Sequence, residues 1–181
     1  MDFHINIKKK SFINPHDKTS IDVLKNINIK IKSKEFVCIV GPSGCGKTTL
    51  MNIIGGLIDA NDQKFKKEQF DLKSNGDFGY VFQTSRLLPW LTVKENIELV
   101  CEENEEYIER IEFLLSEFDL QEFKNYYPKS ISGGMRRKVS LARALVKKPQ
   151  ILLMDEPFVS LDQPTAESLY SVLINYWRKN P

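Results

Sequence analysis

Apolar and polar residues alternate through "FHINIKKK" and "LKNINIKIK" near the start of the chain. Ile5 and Ile7, then Ile27, Ile29 and Ile31, fall on one face at period two, which predicts half-buried, antiparallel strands. "EFVCIV" is a continuous apolar run ending at Gly41, the pattern of a strand buried on both faces. The helix-like "KTTLMNIIGGL" follows it, and "GYVFQ" reads as a further short strand. Residues Asn61 to Asn75 between them are polar, Lys-rich and without a clear period. From Glu103 to Phe118, Tyr107, Ile108, Ile111, Leu114, Leu115 and Phe118 recur at helical spacing. A second helix is predicted after "SGG", running to about Val146. "QILLMDEP" repeats the buried-strand pattern and stops at Pro157. Pro164 to Arg178 forms a last amphipathic helix with Leu169, Val172, Leu173 and Tyr176 on its apolar side. Buried strands alternating with helices predict an α/β fold with a largely parallel sheet.

Composition narrows this picture only slightly. The chain has 181 residues, enough for one sizeable core. Its 26 Lys and Arg balance 24 Asp and Glu, so charge argues neither for nor against nucleic acid, and no nucleic-acid partner is expected. The clusters Lys8-Lys9-Lys10 and Lys64 to Lys67 are short and read as solvated strand or loop ends. Cys38, Cys45 and Cys101 lack metal-ligand spacing and read as reduced thiols of a cytosolic protein. No run reaches the roughly 18 apolar residues of a spanning helix, so any membrane link is expected through a partner.

The chemistry begins at "GPSGCGKTTL", Gly41 to Leu50. Gly41, Pro42, Ser43, Gly44, Cys45, Gly46, Lys47 and Thr48 fit G-x-x-x-x-G-K-[ST], between a predicted strand and a predicted helix. Such a loop turns backbone N–H groups inward, and the helix start adds its positive dipole end, so phosphate oxygens meet many donors. Lys47 is expected to place its charge on the β and γ phosphates, and the Thr48 hydroxyl to ligate Mg²⁺. Cys45 is either a reactive thiol inside the loop or simply a small residue that fits. "ILLMDEP" supplies two carboxylates at a strand's C-terminal end, where open α/β sheets bind ligands. Asp155 suits a metal ligand and Glu156 a general base acting on water. "SISGGMRRKVSLARAL" lies just upstream, with Ser132, Gly133 and Gly134 at a helix head that makes a second anion site. One ATP has no need of two such sites from distant segments, whereas two chains facing each other use both.

At this point the sequence resembles the ATP-binding cassette (ABC) ATPases, whose signature LSGGQ is matched by "ISGGM" with departures at Ile131 and Met135. Gln83 of "YVFQ" is similar to the family's Q-loop, and "SLD", Ser160 to Asp162, to its D-loop. The resemblance implies the P-loop fold of the ABC ATPase type, with a mostly parallel central sheet, an N-terminal antiparallel β part and a helical signature subdomain. It implies one domain over residues 1–181: an antiparallel part to about residue 34, a P-loop core over 35–82, the Q-loop and helical subdomain over 83–145, and the acidic strand, D-loop and last helix over 146–181. ATP and Mg²⁺ are the implied ligands. Gly41 to Thr49, Gln83, Ser132, Gly133, Gly134 and Asp162 are the implied nucleotide-binding residues, with Thr48, Gln83 and Asp155 on the metal and Glu156, Gln83 and Lys47 in catalysis. Phe12 is the candidate for the aromatic that stacks on adenine; a core or strand-end Phe is the alternative. The implied assembly is a head-to-tail homodimer on the cytoplasmic face of the membrane, held by a permease and served indirectly by a solute-binding protein.

"RLLPWLTVKENI", "SGGM" and "LLMDEPF" together resemble the importer ATPases of the nitrate, sulfonate and taurine type. There the segment after the Q-loop faces the permease. Leu87, Leu88, Pro89, Trp90 and Leu91 are therefore either a docking surface or residues folded back as core. Arg137 and Lys138 are expected to serve the ATP interface or solvent. The family's switch histidine has no counterpart, since His4 and His16 are the only histidines. A truncated chain with weakened hydrolysis and an exposed sheet edge is the expectation. The other reading is a non-transport cassette, in DNA repair or on ribosomes. Repair types need a long coiled coil, and only 85 positions separate Lys47 from Ser132. A P-loop kinase or GTPase is disfavoured by "ISGGM" ahead of "LLMDEP".

Overall fold

The computed structural model describes residues 3–59, 78–102, 105–159 and 161–179. Asn61 to Asn75, Lys64 to Lys67 and Ser160 lie outside them. The chain divides into two compact units, Met1–Ser74 and Asn75–Pro181.

In the first unit, β1 (Phe3–Ile13) and β2 (Ser20–Ile31) form an antiparallel pair. Ile5 faces Ile29 and Ile7 faces Ile27, so the period-two pattern sets the register. Ile5 and Ile7 are buried, and Ile27, Ile29 and Ile31 are half-buried. The register shifts at Lys10/Ser11, and Asp22 beyond it accepts from Ser11 at 2.7 Å and pairs with Lys9 at 2.9 Å. Helix α1 (Lys47–Ile54) buries Leu50, Ile53 and Ile54.

"EFVCIV" departs from expectation. Residues 35–40 form no strand, and Phe36, Val37, Ile39 and Val40 are exposed. An apolar run becomes a strand only when a neighbouring strand takes its backbone groups. Among the described residues of this unit the sole ladder is β1 with β2.

The second unit holds β3 (Phe78–Val81) parallel to β4 (Ile151–Met154), with Gly79 opposite Leu152 and Val81 opposite Met154. The strand β4 is half-buried along its length rather than fully buried as its composition suggested. Among the described residues four α-helices accompany the pair: α2 (Val93–Glu98), α3 (Glu105–Glu117), α4 (Gly133–Leu145) and α5 (Gln163–Lys179). Their apolar stripes merge into one core around Val81, Ile111, Leu114, Phe118, Val139, Leu141 and Leu169. Val172, read onto the apolar side of α5, is only partly buried. The short α2 is not evident from periodicity. Its start is nonetheless written in "TVKE": Thr92 Oγ1 accepts from Glu95 N at 3.3 Å while Glu95 accepts from Thr92 N at 2.7 Å, a reciprocal cap.

The strand β3 meets α4 at Gly79. A Cβ there would lie 2.4 Å from Ala144 O and 2.9 Å from Pro149 Cγ. Gly79→Ala must push helix from strand, and overpacking of this kind costs about 1–3 kcal/mol. The expected result is a lower urea midpoint for the second unit at unchanged slope; a wild-type midpoint contradicts the packing described.

Candidate functional site

The cradle belongs to the first unit. Gly44 and Gly46 have φ of 77° and 101°, the left-handed region where a Cβ is strained. Gly46 is doubly constrained, since a Cβ would also stand 2.9 Å from Leu24 Cδ2 and 3.1 Å from Val23 O. Gly46 is the N-cap of α1 and has no side chain to accept from the helix, and no acidic residue sits in the first turn. The leading N–H groups of α1 thus lack a partner within the helix and a carboxylate that would compete with an anion. Lys47 Nζ donates to Gly41 O and Pro42 O, each at 2.9 Å, so the ammonium is already drawn onto the loop. The Thr48 side chain is exposed. These features fit a polyphosphate: left-handed glycines, open N–H donors and a cation held at the loop. Cys45 is an exposed, free thiol. Phe12, on β1, is 45% exposed, with Lys10 Nζ 5.1 Å from its ring centroid.

The acidic pair belongs to the second unit. The β3–β4 ladder runs one step beyond the strands, with Asp155 N donating to Val81 O at 2.9 Å. Asp155 is buried, and Glu156 next to it turns outward at φ 46°. Gln83 Nε2 donates to Glu156 Oε2 at 2.8 Å. Two parallel strands therefore bring together a glutamine and a carboxylate that sequence could relate only by resemblance. Burial, and then the Asp155 charge, push the Tyr80 hydroxyl up to about 12. Tyr80 stacks on Phe82, and the Arg86 guanidinium lies 3.9 Å from the Phe82 ring centroid.

The Ser-Gly-Gly head opens α4. Ser132 is the N-cap, and its Oγ accepts from Met135 N at 3.1 Å. Its O–H proton remains a donor, as a hydroxyl both accepts and donates. A Cβ on Gly134 would meet Thr165 Cγ2 at 2.4 Å, so the second glycine is set by packing against α5. Asp162 accepts from Thr165 N at 3.0 Å and from Thr165 Oγ1 at 2.8 Å, which makes it the cap of α5. These two bonds hold its carboxyl below the ordinary carboxylate range.

Arg137 corrects the expectation of solvent or interface contact. It is 3% exposed, and its guanidinium donates to Phe82 O, Pro157 O and, at 3.0 Å, Glu156 O. Burial lowers its proton affinity and the nearby Asp155 charge opposes that shift. Arg143, further along α4, donates to Ser85 O and Arg86 O at 3.0 Å each. The signal was present: Arg137 lies one and two turns before Leu141 and Leu145, on the stripe that packs inward. Lys138 instead pairs with exposed Asp119 at 3.1 Å.

The segment after Gln83 divides its apolar residues. Leu87, Leu88 and Leu91 are half-buried, while Pro89 and Trp90 are exposed, Trp90 by 68%. Asn96, buried, governs this turn. It accepts from Leu88 N at 2.8 Å and donates to the carbonyls of Leu88, Leu91 and Thr92.

Among the described residues no three His, Cys, Asp or Glu cluster as a metal site, and no helix is long and apolar enough to cross a membrane. A magnesium site needs only one or two carboxylates beside phosphate oxygens and water; donors of that kind are Asp155 and Gln83 in the second unit and Thr48 in the first.

A family model described as ABC transporter matches residues 24–159. The aliphatic sulfonates import ATP-binding protein of Bacillus cereus is 41% identical over 166 residues, covering 88% of this chain and 64% of that protein. The nitrate import ATP-binding protein of Synechocystis is 39% identical over 166 residues, 88% of this chain and 62% of that protein. The chain thus spans under two thirds of the length of these relatives. Among solved structures, the dimeric post-hydrolysis state of an ATP-binding cassette bound to ADP and Pi superposes with a TM-score of 0.79 at 33% identity, covering 99% of this chain and 84% of that one.

Asp162→Ala removes the α5 cap. Faster amide exchange at Thr165 is expected at neutral pH. A lowered folded-state pKa means the contribution is complete above the unfolded value and is lost as pH falls through the folded one. The difference between variant and wild type should therefore begin to shrink as pH falls below about 4 and be gone below the lower, folded-state value; a difference that stays full-sized in strong acid contradicts the assignment.

Proposed function

The chain belongs to the ABC transporter ATPase family, and on that premise we propose that it is the ATP-binding and ATP-hydrolysing subunit that energises an importer of a small solute. The observation that carries this is the bond between Gln83 and Glu156 at the ends of two parallel strands. It sets a carboxylate, able to take a proton from water, beside an amide that can both donate and accept. Glu156 would accept the proton of the attacking water, and Gln83 would orient that water and the metal. The loop from Gly41 to Thr49 would hold the phosphates through its N–H groups, with Lys47 exchanging two carbonyl partners for phosphate oxygens. Thr48, Gln83 and Asp155 would hold Mg²⁺, which when bound neutralises phosphate charge. Ser132, Gly133 and Gly134 would present their donors to the nucleotide of a second copy, in a head-to-tail homodimer. Phe12 would supply the face for adenine. The names of the similar proteins, aliphatic sulfonates and nitrate importers, suggest the nitrate, sulfonate and taurine class of cargo.

Trp90 would dock on an integral membrane permease, holding the subunit at the cytoplasmic face of the membrane. A large exposed aromatic on a turn fixed by buried Asn96 is a pre-organised anchor. A solute-binding protein would act on the far side without touching this chain.

Glu156→Gln should retain nucleotide binding, read with a fluorescent ATP analogue, and lose about 10²–10⁴-fold in turnover. Turnover equal to wild type would remove Glu156 from the chemistry. Trp90→Asp should release the subunit from its permease in a pull-down while nucleotide binding is unchanged; retained association sinks the docking role.

A further inference from the structure

Arg137 is a buried cation whose donors go to backbone carbonyls rather than to a carboxylate. A charge taken from water persists only where its donors are engaged, and here all three guanidinium nitrogens are: Nη1 to Phe82 O, Nε to Pro157 O and Nη2 to Glu156 O. Two acceptors belong to the turn after β4 and one to the end of β3. None belongs to α4, which carries the arginine. Glu156 sits at φ 46°, a conformation costly for a residue with a Cβ and kept where its surroundings over-determine it. Arg137 grips the carbonyl of that residue and of the next, and also the carbonyl just before Gln83, the side-chain partner of Glu156.

We propose that Arg137 is a positioning residue, which holds Gln83 and Glu156 in register and fastens them to the helix headed by Ser132, Gly133 and Gly134. Its kinetic consequence rests on Glu156 being the hydrolytic base; its geometric consequence does not. A planar fork spreads its donors over three nitrogens and so spans three separate carbonyls, whereas an ammonium carries all its donors on one atom. Because α4 is one rigid element, a ligand that displaces its N-terminus also pulls on the turn that aims the Glu156 carboxylate. The signature and the hydrolytic carboxylate of the same subunit are mechanically joined.

The test compares wild type, Arg137→Gln and Arg137→Lys as purified, nucleotide-free proteins by hydrogen–deuterium exchange, then by ATPase kinetics. In both variants the amides over 82–86 and 156–159 should exchange about tenfold faster, while α4 keeps its protection. With MgATP, kcat should fall about 10–100-fold with KM within about twofold of wild type. Unchanged exchange at the two turns overturns the proposal. So does an equal rise across α3, α4 and α5, or failure of both variants to fold, since either makes Arg137 a general packing residue. If wild type and Glu156→Gln alike show no hydrolysis, the ATPase assignment fails, and the exchange data still decide the role of Arg137.

Discussion

The close approach of α4 to β3, possible only because Gly79 has no side chain, governs the second unit. It brings a helix backbone within reach of a strand backbone, with Ala144 O where a Cβ would stand. From that distance Arg137 and Arg143 can span to carbonyls on either side of Gln83. Were the helix pushed outward by one methyl group, both forks would have to stretch or let go. The close packing of Gly134 against Thr165 does the same at the other end of α4, tying it to α5. Two glycines thus fix a helix that bears the Ser132 cap at its start and the backbone clamps along its length.

The two halves of the chemistry differ in how they are stabilised. The cradle is open: uncapped, glycine-rich and exposed at Thr48, with donors that await a ligand. The backbone around the acidic pair is tied down: Arg137 holds the carbonyls of Phe82, Glu156 and Pro157. A phosphate-binding loop has to exchange partners in each cycle. A catalytic carboxylate gains from never moving relative to its neighbours.

Much of this was legible from residue order. The amphipathic stripes of α3, α4 and α5 appear within a residue or two of where periodicity put them, and the alternation marks β1 and β2, though β1 runs on to Ile13 and β2 begins already at Ser20. The cradle and the acidic strand end were legible because their chemistry needs fixed spacing. Three things were not. The run over residues 35–40 has the composition of a buried strand, but composition carries no information on whether a neighbour is hydrogen-bonded to it. Asn96 organises the turn below Trp90 through bonds that depend on tertiary placement. Arg137, expected at the ATP interface or in solvent, is buried, as its helical phase one and two turns before Leu141 and Leu145 requires.

The ammonium of Lys47 does not stand free in the loop, for it is bonded to the carbonyls of Gly41 and Pro42. A stray chloride or a single carboxylate therefore meets a cation already solvated by the protein and gains little by displacing two acceptors. A ligand with several charged oxygens returns both bonds at once and fills the open helix donors besides. Two carbonyl partners on one ammonium thus favour, over a small anion, a ligand that brings several charged oxygens at once.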